Sequence, residues 1–176
     1  MRESKPLSRA IDKQLQVVGL RVGRETLGLP IALVREIVRV PEITPVPNAP
    51  EHIEGVINLR GKIIAVVDLS KRFGEAAIQR NSKSRIVVVE LEERLVGLLV
   101  NSASEVLRLS PSEIEAPQDV FPNEDMNYVT GVGKLQDRLI ILLDLSRILQ
   151  RVELQRLNEV AELAGTTMSA GPSRLR

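Results

Sequence analysis

The sequence predicts an all-β protein with a C-terminal helix, folded as two small, similar barrels. Three observations carry that expectation. From Leu15 onward the chain breaks into short segments rich in Val, Ile and Leu, separated by Gly, Pro, Asn and charged pairs. Two long blocks of sequence repeat in the same order. After Asp144 the apolar residues take up a three-and-four spacing.

Residues 1–13 are polar, lack periodicity and read as a flexible arm. "LQVVGLRVG", "ETLGLPI", "REIVRV", "GVINL" and "KIIAVVDL" read as strands, followed by "RIVVVEL", "RLVGLLV", "SEVLRL", "YVTGVGKL" and "RLIILLDL". Several of these runs are too continuously apolar for a sheet with one wet face. They suit tightly curved barrels or strands covered on both sides. Pro30 removes a ladder donor, so its strand should lie at an edge or bend.

The stretch 41–50 holds four prolines and should run extended, while the loop 110–127 is longer and more acidic. Both read as surface connections suited to partner contacts. Leu145, Ile148, Leu149 and Val152 trace a helical stripe, which Leu157, Val160 and Ala161 continue after a slip in phase. Asp144 or Ser146 can cap this helix and Gly165 can stop it, leaving 165–176 as a loose tail.

The repeat gives the architecture. Gly55, Val56, Leu59, Ile64, Asp68, Leu69 and Ser70 recur 76 residues on as Gly131, Val132, Leu135, Ile140, Asp144, Leu145 and Ser146. Upstream, Gly28, Leu29, Glu36 and Arg39 recur 69 residues on as Gly97, Leu98, Glu105 and Arg108. Each half therefore orders a hairpin, a third strand, a loop, a second hairpin and a helical turn begun near "DLS". A period this long marks a duplicated subdomain, and two such barrels would pack together, exchange end strands and leave a groove between them.

Composition narrows the function. Twenty-four basic residues against 23 acidic ones leave a net charge of +1, and Phe73, Phe121 and Tyr128 are the only aromatics. Neither the charge nor the aromatics suit a nucleic-acid binder. A chain of this size buries roughly 70% of its unfolded surface, so the absence of cysteine costs it no needed staple. The start shows no secretory pattern and the longest apolar runs fall short of a membrane helix, so a soluble, cytoplasmic protein is expected.

No enzyme signature or cofactor motif stands out. His52 is the sole histidine, with no cysteine to join it in a triad or a zinc site. "GVGKLQ" has Gln136 where a dinucleotide fingerprint needs its third glycine. Asp68 and Asp144, each at a strand end before Leu-Ser, read as caps rather than as a catalytic pair. Asn58-Leu59-Arg60-Gly61 forms a polar hairpin tip between two aliphatic runs. Asn58 and Gly61 suit the turn itself. Arg60 reads either as an exposed turn arginine with no partner or as an anchor for a partner's carboxylate or carbonyl. "LVREIVRV" should place Val34 and Glu36 on one face and Arg35 and Ile37 on the other. Phe121, in the acidic loop, either packs down or meets a partner.

Taken together, "GLPIALVREIVR", "HIEGVINLRGKIIAVVDLSKRFG", "RLVGLLVNSASEVLRL" and "YVTGVGKLQDRLIILLDLSRIL" resemble the CheW-like coupling proteins of bacterial chemosensory systems. One departure is Ala65, where the family often has proline. The resemblance implies a CheW-like domain over 14–164 built from two intertwined five-stranded SH3-like β-barrels. It implies a non-enzymatic adaptor without cofactor or metal, recruited to membrane arrays only through its partners. Those partners would be the cytoplasmic tips of methyl-accepting receptors, held in the groove between barrels, and the regulatory domain of the chemotaxis histidine kinase. Carried over by position, Val34, Arg35, Glu36, Asn58, Leu59, Arg60 and Gly61 would form the receptor side, and Ile43, Val46 and Phe121 the kinase side. Two alternatives stay open: an adaptor of a pilus-motility or other chemosensory pathway, and a small-ligand-binding β-barrel sensor using the groove as its pocket.

Overall fold

A computed structural model describes residues 14–120, 127–149, 156–157 and 159–165, and the notable elements among them are strands. In the first half these are β1 (Leu15–Val22), β2 (Glu25–Pro30), β3 (Val34–Arg39), β4 (Ile53–Leu59) and β5 (Lys62–Asp68), then a one-turn helix α1 (Leu69–Arg72). The second half gives β6 (Arg85–Leu91), β7 (Arg94–Val100), β8 (Ser102–Leu109), a two-residue β9 (Ile114–Glu115), and a turn of helix α2 (Pro117–Val120). It closes with β10 (Val129–Leu135), β11 (Arg138–Leu143) and the helical turn α3 (Leu145–Ile148).

The sheets do not follow the halves. One has the order β8-β1-β2-β11-β10-β9, the other β3-β6-β7-β5-β4. Each barrel thus takes its first hairpin from the opposite half, which is the exchange that the repeat led us to expect. Parallel pairs make the two crossovers: Gly28 lies opposite Leu142, and Gly97 opposite Val66. These are equivalent positions of the repeat, and side chains crowd both glycines. A Cβ on Gly28 would lie 3.0 Å from Leu142 Cδ2, and one on Gly97 2.8 Å from Ile86 Cγ2.

The aliphatic runs divide their side chains between three cores. Ile64, Val66, Ile86, Val88 and Leu99 fill the β3–β7 barrel, and Val17, Leu109, Ile140 and Leu142 fill the other. Their strand neighbours Ala65, Val67, Val87, Val89 and Leu98 turn the opposite way, into a larger core shared with Val18, Leu20, Leu27 and Leu29. Alternation along a strand therefore buries both faces, which is why these runs contain almost no polar residue.

The repeat reaches the backbone. A register shift between Ile53 and Gly55 recurs between Val129 and Gly131. The Asp68 and Asp144 amides donate to the carbonyls of His52 and Tyr128, at 2.8 and 2.7 Å. Thr44 pairs with Val56 as Glu115 of β9 pairs with Val132. That first bridge pins the proline-rich stretch to the barrel, and Gly55 is required beneath it, since a Cβ there would meet the Thr44 carbonyl oxygen at 2.2 Å. Both aspartates cap helical turns as expected. Asp68 is the more deeply committed, being buried and accepting from the Lys71 amide at 3.2 Å and the Ile78 amide at 3.0 Å.

Of the edge and the bend that Pro30 allowed, the structure takes the bend: β2 lies between β1 and β11, and Pro30 is its last residue, where the chain bends into the 3-10 turn Ile31–Leu33. One expectation needs correction: the C-terminal helix does not run unbroken. At Leu149 the backbone leaves the helical region (φ −109°, ψ 81°), and helix resumes over 156–157 and 159–165, so the slip in phase marks a break. Leu157 and Ala164 of that later stretch are buried. Val152, the termini and the tip of the acidic loop lie outside the described residues.

The two caps should differ in weight. Asp68→Ala strands two donors in a buried setting and should cost about 2–4 kcal/mol, against about 0.5–2 kcal/mol for Asp144→Ala. Urea unfolding of the two variants measures the difference.

Candidate docking interface

The polar hairpin tip is built by its own side chains. β4 ends at Leu59 and β5 starts at Lys62, so Arg60 and Gly61 form a two-residue turn, both with positive φ (51° and 87°). Left-handed backbone at both positions is the tight geometry that matches strand twist. The Asn58 side-chain oxygen accepts the Gly61 amide at 2.8 Å and stabilises the turn. Leu59 is half-buried and packs on the barrel core. The tip is fixed before any partner arrives.

Arg60 is not an unpartnered turn arginine. Its guanidinium donates two hydrogen bonds to Glu36, 2.7 Å to Oε2 and 2.9 Å to Oε1. That fork raises the Arg60 pKa above its ordinary range through hydrogen bonding first and charge second. β3 and β4 are the two ends of their sheet's order, so the pair clasps the seam where the barrel closes without a backbone ladder. Glu36 is about one quarter exposed (26%) and Arg60 three quarters (75%), so the clasp keeps an outward charged face. On β3 the alternation is as expected, with Val34 and Glu36 half-buried and Arg35 and Ile37 exposed. Arg35, the extra residue in a bulge between Val34 and Glu36, pairs with Glu90 on β6.

The second barrel has its own clasp. Arg138 donates to Glu105 at 3.2 and 3.3 Å, and Glu105 is the repeat counterpart of Glu36. Gln136 occupies the place of Arg60, but the required charge comes from a position two residues later. Matching Arg60 with Gln136 alone hid this shared need.

Of the seven residues expected on the receptor side, Glu36 and Arg60 meet directly and Asn58 holds Gly61, while Val34 packs on the shared core and Leu59 on the core of the β3–β7 barrel. Ile43 packs into that barrel's core, one residue before the Thr44 bridge, and Val46 follows on the same pinned loop. Phe121 lies outside the described residues. None of the described site residues lines the main cleft between the barrels, a space of about 830 Å³. Its walls are the β1–β2 turn and β2 on one side and residues 75–79 on the other, with Tyr128 and Ile141 between. Phe73 stacks on Tyr128 there at 5.1 Å. Sequence reading placed a groove between the barrels without finding these residues; their one signal was two aromatics in an aromatic-poor chain.

Glu54, the extra residue of the first β4 bulge, anchors the segment leading to that wall. It binds Lys71 Nζ at 2.7 Å and Arg80 Nη2 at 2.9 Å. Burial pushes its pKa up, but the hydrogen bonds and charges of Lys71 and Arg80 together hold it below the usual value of 4.5. Among the described residues no group of three or more His, Cys, Asp or Glu is placed to hold a metal ion, and no helix is long and apolar enough to cross a membrane.

Two small barrels that exchange hairpins and share one core define an intertwined double-barrel β fold. The CheW-like domain family matches residues 16–153. The chemotaxis protein CheW of Treponema pallidum (strain Nichols) is 31% identical over 83% of this chain and 88% of its own length. That of Rhizobium meliloti (strain 1021) is 34% identical over 76% and 86%. A crystal structure of the scaffolding protein TtCheW from Thermoanaerobacter tengcongensis matches with a TM-score of 0.71 at 38% identity, covering 79% of this chain and 94% of that one. The chain belongs to the CheW-like family.

Glu54 sets an acid dependence. Because its folded pKa lies below the unfolded value, its contribution is complete above about pH 4.5 and is lost as pH falls through the folded pKa. Between pH 6 and pH 3, Glu54→Gln should lose less stability than the parent. Parallel losses in denaturant titrations would contradict this assignment.

Proposed function

We propose that this chain is a non-enzymatic cytoplasmic adaptor, with residues 14–164 as its working domain. It couples methyl-accepting chemoreceptors to a chemotaxis-type histidine kinase in signalling arrays. The observation that carries this reading is the Glu36–Arg60 clasp, which holds β3 and the hairpin tip as one exposed face on a chain of the CheW-like family. A preformed face spares a binding partner the cost of ordering it. In this reading Val34 to Glu36 and Asn58 to Gly61 meet the helical tip of a receptor. Ile43, Val46 and the Phe121 loop offer the kinase a neighbouring surface.

Coupling then depends on differential contact. A receptor that binds equally well in both signalling states would transmit nothing to the kinase. The shared core gives a physical route between faces, since strands of each barrel belong to both halves. Individually weak contacts suffice when an array multiplies them.

Arg60 can act on the partner directly or only through Glu36, and a charge exchange separates these roles. Co-sedimentation with a receptor fragment and the kinase regulatory domain should show ternary assembly for the parent and weakened receptor binding for Arg60→Glu. The exchange Glu36→Arg with Arg60→Glu rebuilds the clasp in reverse. It should leave receptor binding weak if Arg60 touches the receptor. Recovery in the exchanged variant, or undiminished binding in the single one, would contradict the proposed contact.

A further inference from the structure

One wall of the main cleft is a segment that no ladder holds. Residues 75–80 belong to no strand or helix, and of residues 74–80 only Ile78 is buried. The segment runs from α1 toward β6 between two self-contained ends. At one end Gly74 has a positive φ of 80°, and its amide donates to the Lys71 carbonyl at 2.9 Å. At the other Asn81 closes a turn. Its amide donates to Ser84 Oγ at 2.9 Å, and its side-chain oxygen accepts the Lys83 amide at 2.8 Å.

Between these ends the segment is held by the β4–β5 hairpin and the helical turn after it. The Glu75 amide donates to the Ser70 carbonyl at 2.9 Å, and Ser70 Oγ donates to the Ala76 carbonyl at 2.6 Å. The Ile78 amide ends on the buried Asp68 carboxylate at 3.0 Å, and the Arg80 guanidinium on Glu54 at 2.9 Å. Side chains and a helical turn thus do what a neighbouring strand does elsewhere in the barrel. A stretch with one buried apolar side chain and no ladder is among the first parts of a fold to open.

Ile78 belongs to two environments at once. With Glu75, Ala76, Ala77 and Gln79 it lines the cleft. It also belongs to the core of the β3–β7 barrel, on which Leu59 of the hairpin tip and Ile43 of the proline-rich loop pack.

We propose that residues 74–80 form a latch that opens as one unit between Gly74 and the Asn81 turn, withdrawing Ile78 from the barrel core. Closed, Ile78 completes the core on which Leu59 and Ile43 pack; open, it takes that support away. An occupant of the cleft that favours one position of the latch is then felt at the hairpin tip and at the proline-rich loop without touching either. The latch is a property of the chain alone. Its use in signalling rests on the adaptor reading, so the test contains no partner and either can fail without the other.

Native-state hydrogen exchange on the full chain measures the opening, and methyl NMR with labelled Ile and Leu measures its reach. The Glu75 and Ile78 amides should share one opening equilibrium and be about 100-fold less protected than the Val87 and Val88 amides of β6. Two variants release the latch at different points: Arg80→Ala removes the hold on Glu54, and Ser70→Ala the bond to the Ala76 carbonyl. Neither takes an apolar side chain from the core. Each should speed exchange at both Glu75 and Ile78 by a common factor, about fivefold or more, and leave Val87 and Val88 unchanged. The Ile43 and Leu59 methyls should shift along one line in both variants, in proportion to that factor. Protection at Ile78 equal to that at Val87 would overturn the latch, as would acceleration confined to the amides beside each substituted residue. Ile43 and Leu59 methyls that stay still while the Ile78 methyl moves would overturn its reach to the two faces.

Discussion

The structure depends on strands that are apolar on both faces. In β5, Ile64 and Val66 point into a barrel while Ala65 and Val67 point into the core between barrels. β6 divides Ile86 and Val88 from Val87 and Val89 in the same way. A slip of one residue would bury an equally apolar face, so hydrophobic pattern alone fixes the register only weakly. Other devices supply it. The matched bulges at Gly55 and Gly131, the crowded glycines at the crossovers and the amides of Asp68 and Asp144 each admit one alignment.

Duplication supplied the parts and divergence made the two ends different. Both barrels keep a capping aspartate, a bulge and a glutamate–arginine clasp, yet each uses them differently. Asp68 is buried and holds Ile78 as well as its helical turn, whereas Asp144 serves its own turn and Arg147. The first clasp draws its arginine from the turn itself, the second from the strand that follows. Such inequality suits the proposed function, since identical faces would bind the same partner twice.

Much of this was legible in the sequence, for reasons that can be named. The strands were plain because β-branched runs ended at Gly, Asn and charged pairs, and the duplication was plain because "DLS" and the preceding glycine kept their spacing. The exchange of hairpins followed from the repeat as an expectation, but which strands met in parallel did not, since pairing between halves leaves no local mark. Pro30 signalled an edge or a bend without deciding between them, and the bend resulted because a proline in the last position of a strand costs no inner ladder bond. The Glu36–Arg60 clasp joins residues whose spacing in sequence says nothing of their contact. Reading Arg60 against Gln136 position by position then concealed the equivalent pair. The groove between the barrels was expected but its lining was not, because it is assembled from a turn, a strand and a loop that become neighbours only after the hairpins cross over.

The central claim is that strand exchange makes the two barrels a single cooperative body, so that a load on one face is felt at the other. Native-state hydrogen exchange tests it directly through the amides of Val66 and Val67 in one sheet and of Leu142 and Leu143 in the other. The account predicts that all four open with the same free energy and the same denaturant dependence, equal to those of global unfolding. A lower opening free energy confined to one sheet would show that the barrels melt separately, and the claim would fail.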